Sequence, residues 1–389
     1  MKLDAIFLTL GGLFALGLAA DLLGRRTKIP RVTLVILLGV IVGPHGLDFL
    51  STAFQELYAF LSTTALTMVA FLLGGVLSMP KLADHGREIL SISLTIIMAT
   101  IVFVAGGFWA LGISVPIALM LAGIATATDP AATQDVIRQN GKTGRFSEIL
   151  LGVVAIDDAW GLIAFSLLLI FAKGIGADTT SVLLMHGLWE IGGALLIGLV
   201  VGGPAAYLTG RISGGEPALI EALVIVFLCA GLSIWFEVSY LLAGMTAGAV
   251  VVNLAKHHER PFHEIEMVEW PFMFLFFILA GASLDLENLS NLGFIGGAYI
   301  ILRILGRILG GWIGGRMAGM RPVERRWIGS ALMPQAGVAV GMALVASQQF
   351  PDWGNTLLSV TIATTIVFEI LGPILTMLAL QRVEDKTLK

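Results

Sequence analysis

Charged side chains are scarce in this sequence. Aspartate, glutamate, lysine and arginine make up 13% of its 389 residues, whereas 57% are hydrophobic. Long apolar runs repeat from end to end, and most approach the roughly 20 residues that a helix needs to cross a bilayer. Because an open sheet cannot satisfy its backbone groups in lipid, the composition predicts an all-α polytopic membrane protein. The lipid bilayer is therefore an expected partner, and nucleic acid is not.

Cysteine is almost absent as well. Cys229 is the only one, so no intrachain disulfide can form. We expect no cleavable signal, because residues 5–23 are as long as a span and no clear small-residue cleavage site follows. Glycine, in contrast, occurs 47 times, which favours close packing of membrane helices.

The apolar runs predict thirteen transmembrane helices, of which the fifth and the twelfth are interrupted. The predicted spans are 4–23, 31–47, 56–79, 88–111, 115–137, 147–172, 182–209, 216–235, 239–254, 268–283, 293–316, 327–347 and 355–381. Of the lysines and arginines, 19 lie on the side reached after the first span, two lie on the other side, and two lie inside the eleventh span. By the positive-inside rule, the N-terminus is outside and the C-terminus is cytoplasmic.

The two halves of the chain resemble each other at an offset near 205 residues. At this offset Gly39 falls opposite Gly244, and Pro130 falls opposite Pro334. Spans 1–6 and 8–13 are therefore candidate repeats, and span 7 joins them. Because the second repeat starts from the opposite side of the membrane, the two six-helix repeats are inverted, as in many secondary transporters.

Proline interrupts one span in each predicted repeat. Pro130 and Pro334 each remove a helical hydrogen bond. Thr128 and Asp129 stand beside the first break, and Gln335 follows the second. Freed backbone groups at this depth need protein or a water-filled cavity to receive them, so we expect the two breaks to cross near the midplane. Asp129 would then neutralise the N-terminus of a half-helix. The alternative is a pair of simple proline kinks.

The predicted spans contain acidic side chains in excess of basic ones. At least four carboxylates share two arginines one turn apart, and these residues are Asp129, Asp157, Asp158, Glu369, Arg303 and Arg307. A charge at the bilayer centre costs roughly 2.5–3.5 kcal/mol on insertion scales, so each needs a partner or a function. Adjacent helical residues diverge by about 100°, so one of the paired aspartates faces a cation cavity and the other a basic partner. The alternative is a set of buried salt bridges that only hold helices together.

Together these residues resemble a known superfamily, the bacterial monovalent cation/proton antiporters of the sodium/proton and potassium-efflux type. The resemblance rests on the paired aspartates, on Thr-Asp-Pro at 128–130, on the basic residue of the eleventh span, and on Gly-Val-Ile-Val-Gly-Pro at 39–44 and Phe-Glu-Ile-Leu-Gly-Pro at 368–373. It covers nearly the whole chain, and only the combination of motifs is specific. It implies a secondary transporter that is not an enzyme, that needs no cofactor, and that exchanges Na⁺, Li⁺ or K⁺ for H⁺.

The resemblance also implies roles for individual residues. Asp158, with Asp157, binds the transported metal ion and the proton, and Asp157 is also the salt-bridge partner of Arg307. Thr128 and Asp129 line the crossing of the broken helices. Glu369, Arg303 and Gln335 support this core.

The basic residue departs from the usual pattern. Members with paired aspartates typically carry lysine where this chain has Arg307, and arginine is effectively never deprotonated. If Arg307 keeps Asp157 ionised, exchange is one-for-one and electroneutral. If Asp157 also takes a proton, exchange is two-for-one and electrogenic.

The resemblance further implies a homodimer in the bacterial inner membrane, with an elevator-type core that moves against a scaffold. The predicted scaffold is 1–87 and 211–292, the predicted core is 88–172 and 293–389, and a linker helix lies within 173–210.

Three other functions fit part of the pattern. Sodium-coupled symport of an organic anion would use the same architecture, but the excess of acid disfavours an anion. An intramembrane aspartyl protease needs its two acids on facing helices, whereas Asp157 and Asp158 are adjacent. A passive channel does not need two broken helices. His257, His258 and His263 lie in a predicted cytoplasmic loop that either senses pH or is simply solvated.

Overall fold

The structure is a computed structural model that describes residues 3–27, 31–44, 46–47, 49, 52–140, 144–175, 180–208, 218–255, 259–282, 289–335 and 337–384. Within these ranges the chain forms fifteen helices and no strand. They are α1 Leu3–Thr27, α2 Arg31–Val42, α3 Thr52–Val76, α4 Met79–Ala110, α5 Val115–Ile124, α6 Pro130–Asn140, α7 Arg145–Gly174, α8 Thr180–Leu208, α9 Ala218–Trp235, α10 Tyr240–Leu254, α11 Glu259–Ala282, α12 Leu289–Met317, α13 Pro322–Ala331, α14 Gly337–Gln349 and α15 Pro351–Glu384.

Each predicted span overlaps one of these helices or a pair of them. The fifth span corresponds to α5 and α6, and the twelfth corresponds to α13 and α14, so both interruptions are present. Among the described residues, six helices are by length and composition apolar enough to cross a membrane: Gly86–Ala110, Arg145–Gly174, Leu188–Leu208, Pro261–Ala282, Gly293–Met317 and Pro351–Val383. The fold is therefore all-helical, and the number of thirteen crossings stays a prediction.

The helices pack in two groups. One group contains α1–α3 and α8–α11, and the other contains α4–α7 and α12–α15. The groups meet where α7 contacts α3, α8 and α10, where α14 contacts α3, and where α15 contacts α2 and α11. Contacts within each group are much more extensive than contacts between them.

Glycines bring α12 close to α4, the kind of close helix packing that the glycine content of the sequence favours. A Cβ atom added at Gly310 would lie 2.7 Å from Cα of Ile96, and one at Gly314 would lie 2.9 Å from Cα of Ile92. Only a residue without a side chain lets the two backbones approach this closely. The α12 helix, which carries both buried arginines, is thereby fixed against α4.

Two helix crossings in the first group share one pattern. A Cβ at Gly39 of α2 would meet the carbonyl group of Ile278 on α11, and a Cβ at Gly248 of α10 would meet the carbonyl group of Phe71 on α3. Gly39 and Gly248 therefore lie at similar helix crossings, whereas the sequence offset sets Gly39 opposite Gly244.

Candidate functional site

The two helix breaks form the frame of the site. In the first break, α5 ends at Ile124 and α6 begins at Pro130, where the missing N–H of proline costs no helical hydrogen bond. The carboxylate of Asp129 accepts a hydrogen bond of 3.1 Å from the backbone N–H of Ala132. Asp129 therefore caps the N-terminus of the half-helix α6, as predicted.

Arg303 joins the two breaks. Its guanidinium donates to the carbonyl oxygens of Ala125 and Ala127 in the first break, at 3.1 and 2.8 Å. It also donates to the carbonyl oxygen of Met333 in the second break, at 2.9 Å. Its central carbon lies 4.2 Å from the ring centroid of Phe368, a cation–π geometry. In the described part of the chain Arg303 forms no salt bridge with a carboxylate, and its role as a supporting core residue stays a prediction.

Arg307 forms the buried ion pair. Its Nη1 lies 2.8 Å from Oδ2 of Asp157, and both side chains are fully buried. The same guanidinium donates to the carbonyl oxygens of Thr126 and Ala127. The other oxygen of Asp157 accepts a hydrogen bond of 3.0 Å from Ser93 on α4. Both carboxylate oxygens of Asp157 are thus occupied by protein donors, and the predicted pairing with Arg307 is present.

Asp158 points to the other side of α7, into the first break. Its Oδ1 accepts two hydrogen bonds from Thr128, one from the backbone N–H at 2.8 Å and one from the hydroxyl at 2.9 Å. Its Oδ2 is buried and has no hydrogen-bond partner among the residues that the structure describes. The two adjacent aspartates therefore differ: one is fully paired, and the other has a free oxygen.

Gln335 lies beside the site. Its amide nitrogen donates to the hydroxyl of Tyr299 at 3.0 Å, and its Oε1 is buried without a partner in the described ranges. Glu369, on α15, accepts a hydrogen bond from the hydroxyl of Thr33 on α2. Sequence reasoning missed Ser93, Thr33 and Tyr299 as contacts of the core. A hydroxyl in an apolar run is common, so none of them gave a signal.

Other groups stay outside the site. The described residues contain no group of three or more His, Cys, Asp or Glu side chains that could hold a metal ion. His263 is exposed at the start of α11, and His257 and His258 lie outside the described residues. The role of that loop stays a prediction.

A sequence model of the sodium/hydrogen exchanger transmembrane region matches residues 12–381. The chain belongs to this sodium/hydrogen exchanger family. It is 23% identical to the K⁺/H⁺ antiporter subunit KhtU of Bacillus subtilis, over 96% of this chain and 93% of that protein. It is also 23% identical to the Na⁺/H⁺-K⁺ antiporter GerN of Bacillus cereus, over 90% of each chain.

The fold of this exchanger-family member matches a solved structure. The sodium proton antiporter MjNhaP1 of Methanocaldococcus jannaschii superposes with a TM-score of 0.76 at 18% identity, over 98% of this chain and all of that one. The family and its relatives are transmembrane cation/proton antiporters, which confirms the predicted resemblance. Symport of an organic anion finds no support among them.

Proposed function

We propose that this exchanger-family protein exchanges a monovalent cation for H⁺, and that both compete for Asp158. The observation that carries the proposal is the free Oδ2 of Asp158, which is buried beside the broken helix while Thr128 fixes Oδ1. A cation and a proton each neutralise this carboxylate, and the same oxygen cannot hold both. Competition for one buried oxygen is the physical basis of obligatory exchange.

The cost of burial drives this competition. An ionised carboxylate removed from water costs several kcal/mol unless opposite charge and hydrogen bonds compensate it. The Thr128 donors compensate one oxygen of Asp158, and Arg307 is already engaged with Asp157. An Asp158 carboxylate that holds neither ligand is therefore unfavourable while it is buried. Asp158 is buried only with a cation or a proton bound.

The ion pair supports one-for-one stoichiometry. Both oxygens of Asp157 are occupied, and Arg307 does not deprotonate. Asp157 then stays ionised throughout the cycle, and only Asp158 titrates. Exchange of one Na⁺, Li⁺ or K⁺ for one H⁺ moves no net charge.

The packing supports alternating access by an elevator. The group of α4–α7 and α12–α15 carries the site and corresponds to the predicted core at 88–172 and 293–389. The other group corresponds to the scaffold and linker, and contacts between the groups are fewer than within them. The matched crossings at Gly39 and Gly248 support two inverted repeats among thirteen spans. We further propose a homodimer formed by the scaffold, in a bacterial inner membrane, with the N-terminus outside.

Experiment must identify the transported cation, because the relatives are named for different ions. KhtU is a K⁺/H⁺ antiporter subunit, AmhT of Alkalihalophilus pseudofirmus is an ammonium/H⁺ antiporter subunit, and GerN is a Na⁺/H⁺-K⁺ antiporter. Proteoliposomes with a trapped pH dye would receive each cation in turn, with and without valinomycin and K⁺ to clamp the voltage. We expect Na⁺, Li⁺ or K⁺ to drive proton release at a rate that the clamp does not change.

Two variants test the assignment of Asp158. Asp158→Asn keeps the size of the side chain but cannot ionise, so we expect no cation-driven proton movement. Asp352→Asn removes an exposed carboxylate at the start of α15 and serves as the matched control with full activity. Full exchange by Asp158→Asn would refute the proposal.

A further inference from the structure

A second buried carboxylate lies where the two helix groups meet. Glu369 is near the middle of α15, and only 2% of its surface is exposed. Thr33 on α2, also 2% exposed, donates its hydroxyl hydrogen bond to Oε2 of Glu369. Since α15 belongs to one group and α2 to the other, this hydrogen bond crosses the boundary between them.

No positive charge compensates Glu369 within the described part of the chain. Arg303, which lies over the ring of the preceding Phe368, donates to the carbonyl oxygens of the two breaks instead. Arg307 is bonded to Asp157. The charged group that acts on Glu369 is Asp129, at the start of α6, and its charge is negative.

The remaining helices against α15 add nothing positive near this group. The described side chains of α2, α5 and α14 include no charged residue. On α13, Arg321 is bonded to Glu324, and neither Arg325 nor Arg326 is among the groups that act on Glu369. On α11, the charged neighbour of Glu269 is another acid, Glu266. The hydroxyl and the backbone N–H of Thr33 are neutral donors, and they do not offset the burial of an ionised carboxylate, which costs several kcal/mol when no opposite charge is near. Glu369 is therefore neutral when α15 packs against α2.

We propose that Glu369 is a second proton-binding site, distinct from Asp158, which holds its proton at the contact between the two helix groups. Two more polar groups point to the same ligand. Thr361 and Thr365 precede Glu369 at intervals of four residues, so the three side chains lie on successive turns of α15. Both hydroxyls are buried and have no partner among the described residues. They form a line of hydrogen-bonding groups that leads from Glu369 toward the Pro351 end of the helix.

This proton differs from the one that is exchanged at Asp158. Thr33 and Glu369 are on opposite sides of the boundary between the two helix groups. Glu369 therefore holds this proton in the arrangement of the groups that packs α15 against α2. Its role in transport rests on the proposed alternating movement, whereas its presence on Glu369 does not. Neither oxygen of Glu369 is both buried and without a hydrogen-bond partner, whereas Oδ2 of Asp158 is, so Glu369 offers a cation no free buried oxygen.

Infrared difference spectroscopy on the full chain in lipid nanodiscs at neutral pH tests the site, because a carboxylic acid and a carboxylate absorb in separate regions. We expect Glu369→Gln to lose one carboxylic-acid band that Asp158→Asn retains. Thr33→Val removes the hydrogen bond and keeps the shape, so it should shift that same band to higher frequency. Adding Na⁺ or K⁺ should leave the Glu369 band unchanged while the Asp158 band disappears.

Two results would overturn the proposal. One is a carboxylic-acid region that is identical in the wild type and in Glu369→Gln, which would show that Glu369 is ionised. The other is a Glu369 band that disappears on cation binding together with the Asp158 band, which would make it part of the same site. If Glu369→Gln fails to fold, the shift in Thr33→Val decides. A wild type that releases no proton with any cation would refute the exchange function but would leave this assignment intact.

Discussion

Replacing Arg307 by alanine should strongly destabilise the protein. The change leaves Asp157 buried and ionised, with the hydroxyl of Ser93 as its remaining donor. Breaking a buried pair from one side costs about 3–5 kcal/mol. The carbonyl oxygen of Thr126 also loses its donor, and a buried acceptor left without a partner costs about 1–3 kcal/mol, whereas the carbonyl oxygen of Ala127 keeps its bond from Arg303. A cavity at the helix break adds to this loss.

A second substitution separates the charge from the carbonyl contacts. Asp157→Asn in the Arg307→Ala background removes the unpaired charge and keeps a group that accepts from Ser93. We therefore expect the double variant to recover most of the 3–5 kcal/mol that belongs to the ion pair. The cost of the unpaired Thr126 carbonyl oxygen and of the cavity should remain, so the double variant stays less stable than the wild type.

The measurement is the fraction of monodisperse protein after heating in detergent. Because membrane proteins of this size rarely refold after heating, the result is an apparent melting temperature, and the order of the variants carries the information. We expect the order wild type, double variant, Arg307→Ala. A double variant that melts below Arg307→Ala would refute the buried-charge reasoning. Unchanged melting of Arg307→Ala together with lost exchange would instead assign Arg307 a direct role in transport.

Other contacts in the structure give three further predictions. Gly39→Ala and Gly248→Ala should each lower the free energy of unfolding by about 1–3 kcal/mol, because the new methyl group meets a carbonyl group. Gly106→Ala, with open space around it, should melt at or above the wild-type temperature. Unequal losses of stability in the first two variants would contradict the similarity of their helix crossings. Arg303→Lys should lower the melting temperature, because one ammonium group cannot replace the three fixed donors to the carbonyl oxygens, and a wild-type melting curve would refute this role. The transported cation at 100 times its Kd should stabilise the wild type by about 2.7 kcal/mol and should not stabilise Asp158→Asn, as differential melting with and without the salt would show.

The helices and the breaks could be predicted from the sequence because each has a local cause. Apolar runs of sufficient length require helices in lipid, and Pro130 and Pro334 cannot continue a helical hydrogen-bond ladder. The charged site was equally visible, since a carboxylate such as Asp158 in an apolar run has few structural explanations. The divergence of Asp157 from Asp158 followed from helix geometry alone.

The partners of the buried groups could not be predicted, because they depend on which helices are neighbours. Arg303 looked like a partner for an acid, yet the freed carbonyl oxygens of the two breaks receive it. Ser93 and Thr33 are ordinary residues of apolar helices until α4 and α2 bring them against Asp157 and Glu369.

The charges around the site support exchange of a single elementary charge. Asp129, Asp157 and Asp158 contribute three negative charges when they are ionised, and Arg303 and Arg307 contribute two positive ones. Arg307 is fixed to Asp157, and Arg303 is fixed to backbone carbonyl oxygens and the ring of Phe368, so neither is free to neutralise Asp158. If Arg303 were bonded to Asp158 instead, the site would have no reason to bind a cation. The broken helices thus supply the acceptors that keep Arg303 away from Asp158, and in the proposed exchange one monovalent cation or one proton matches the one remaining negative charge.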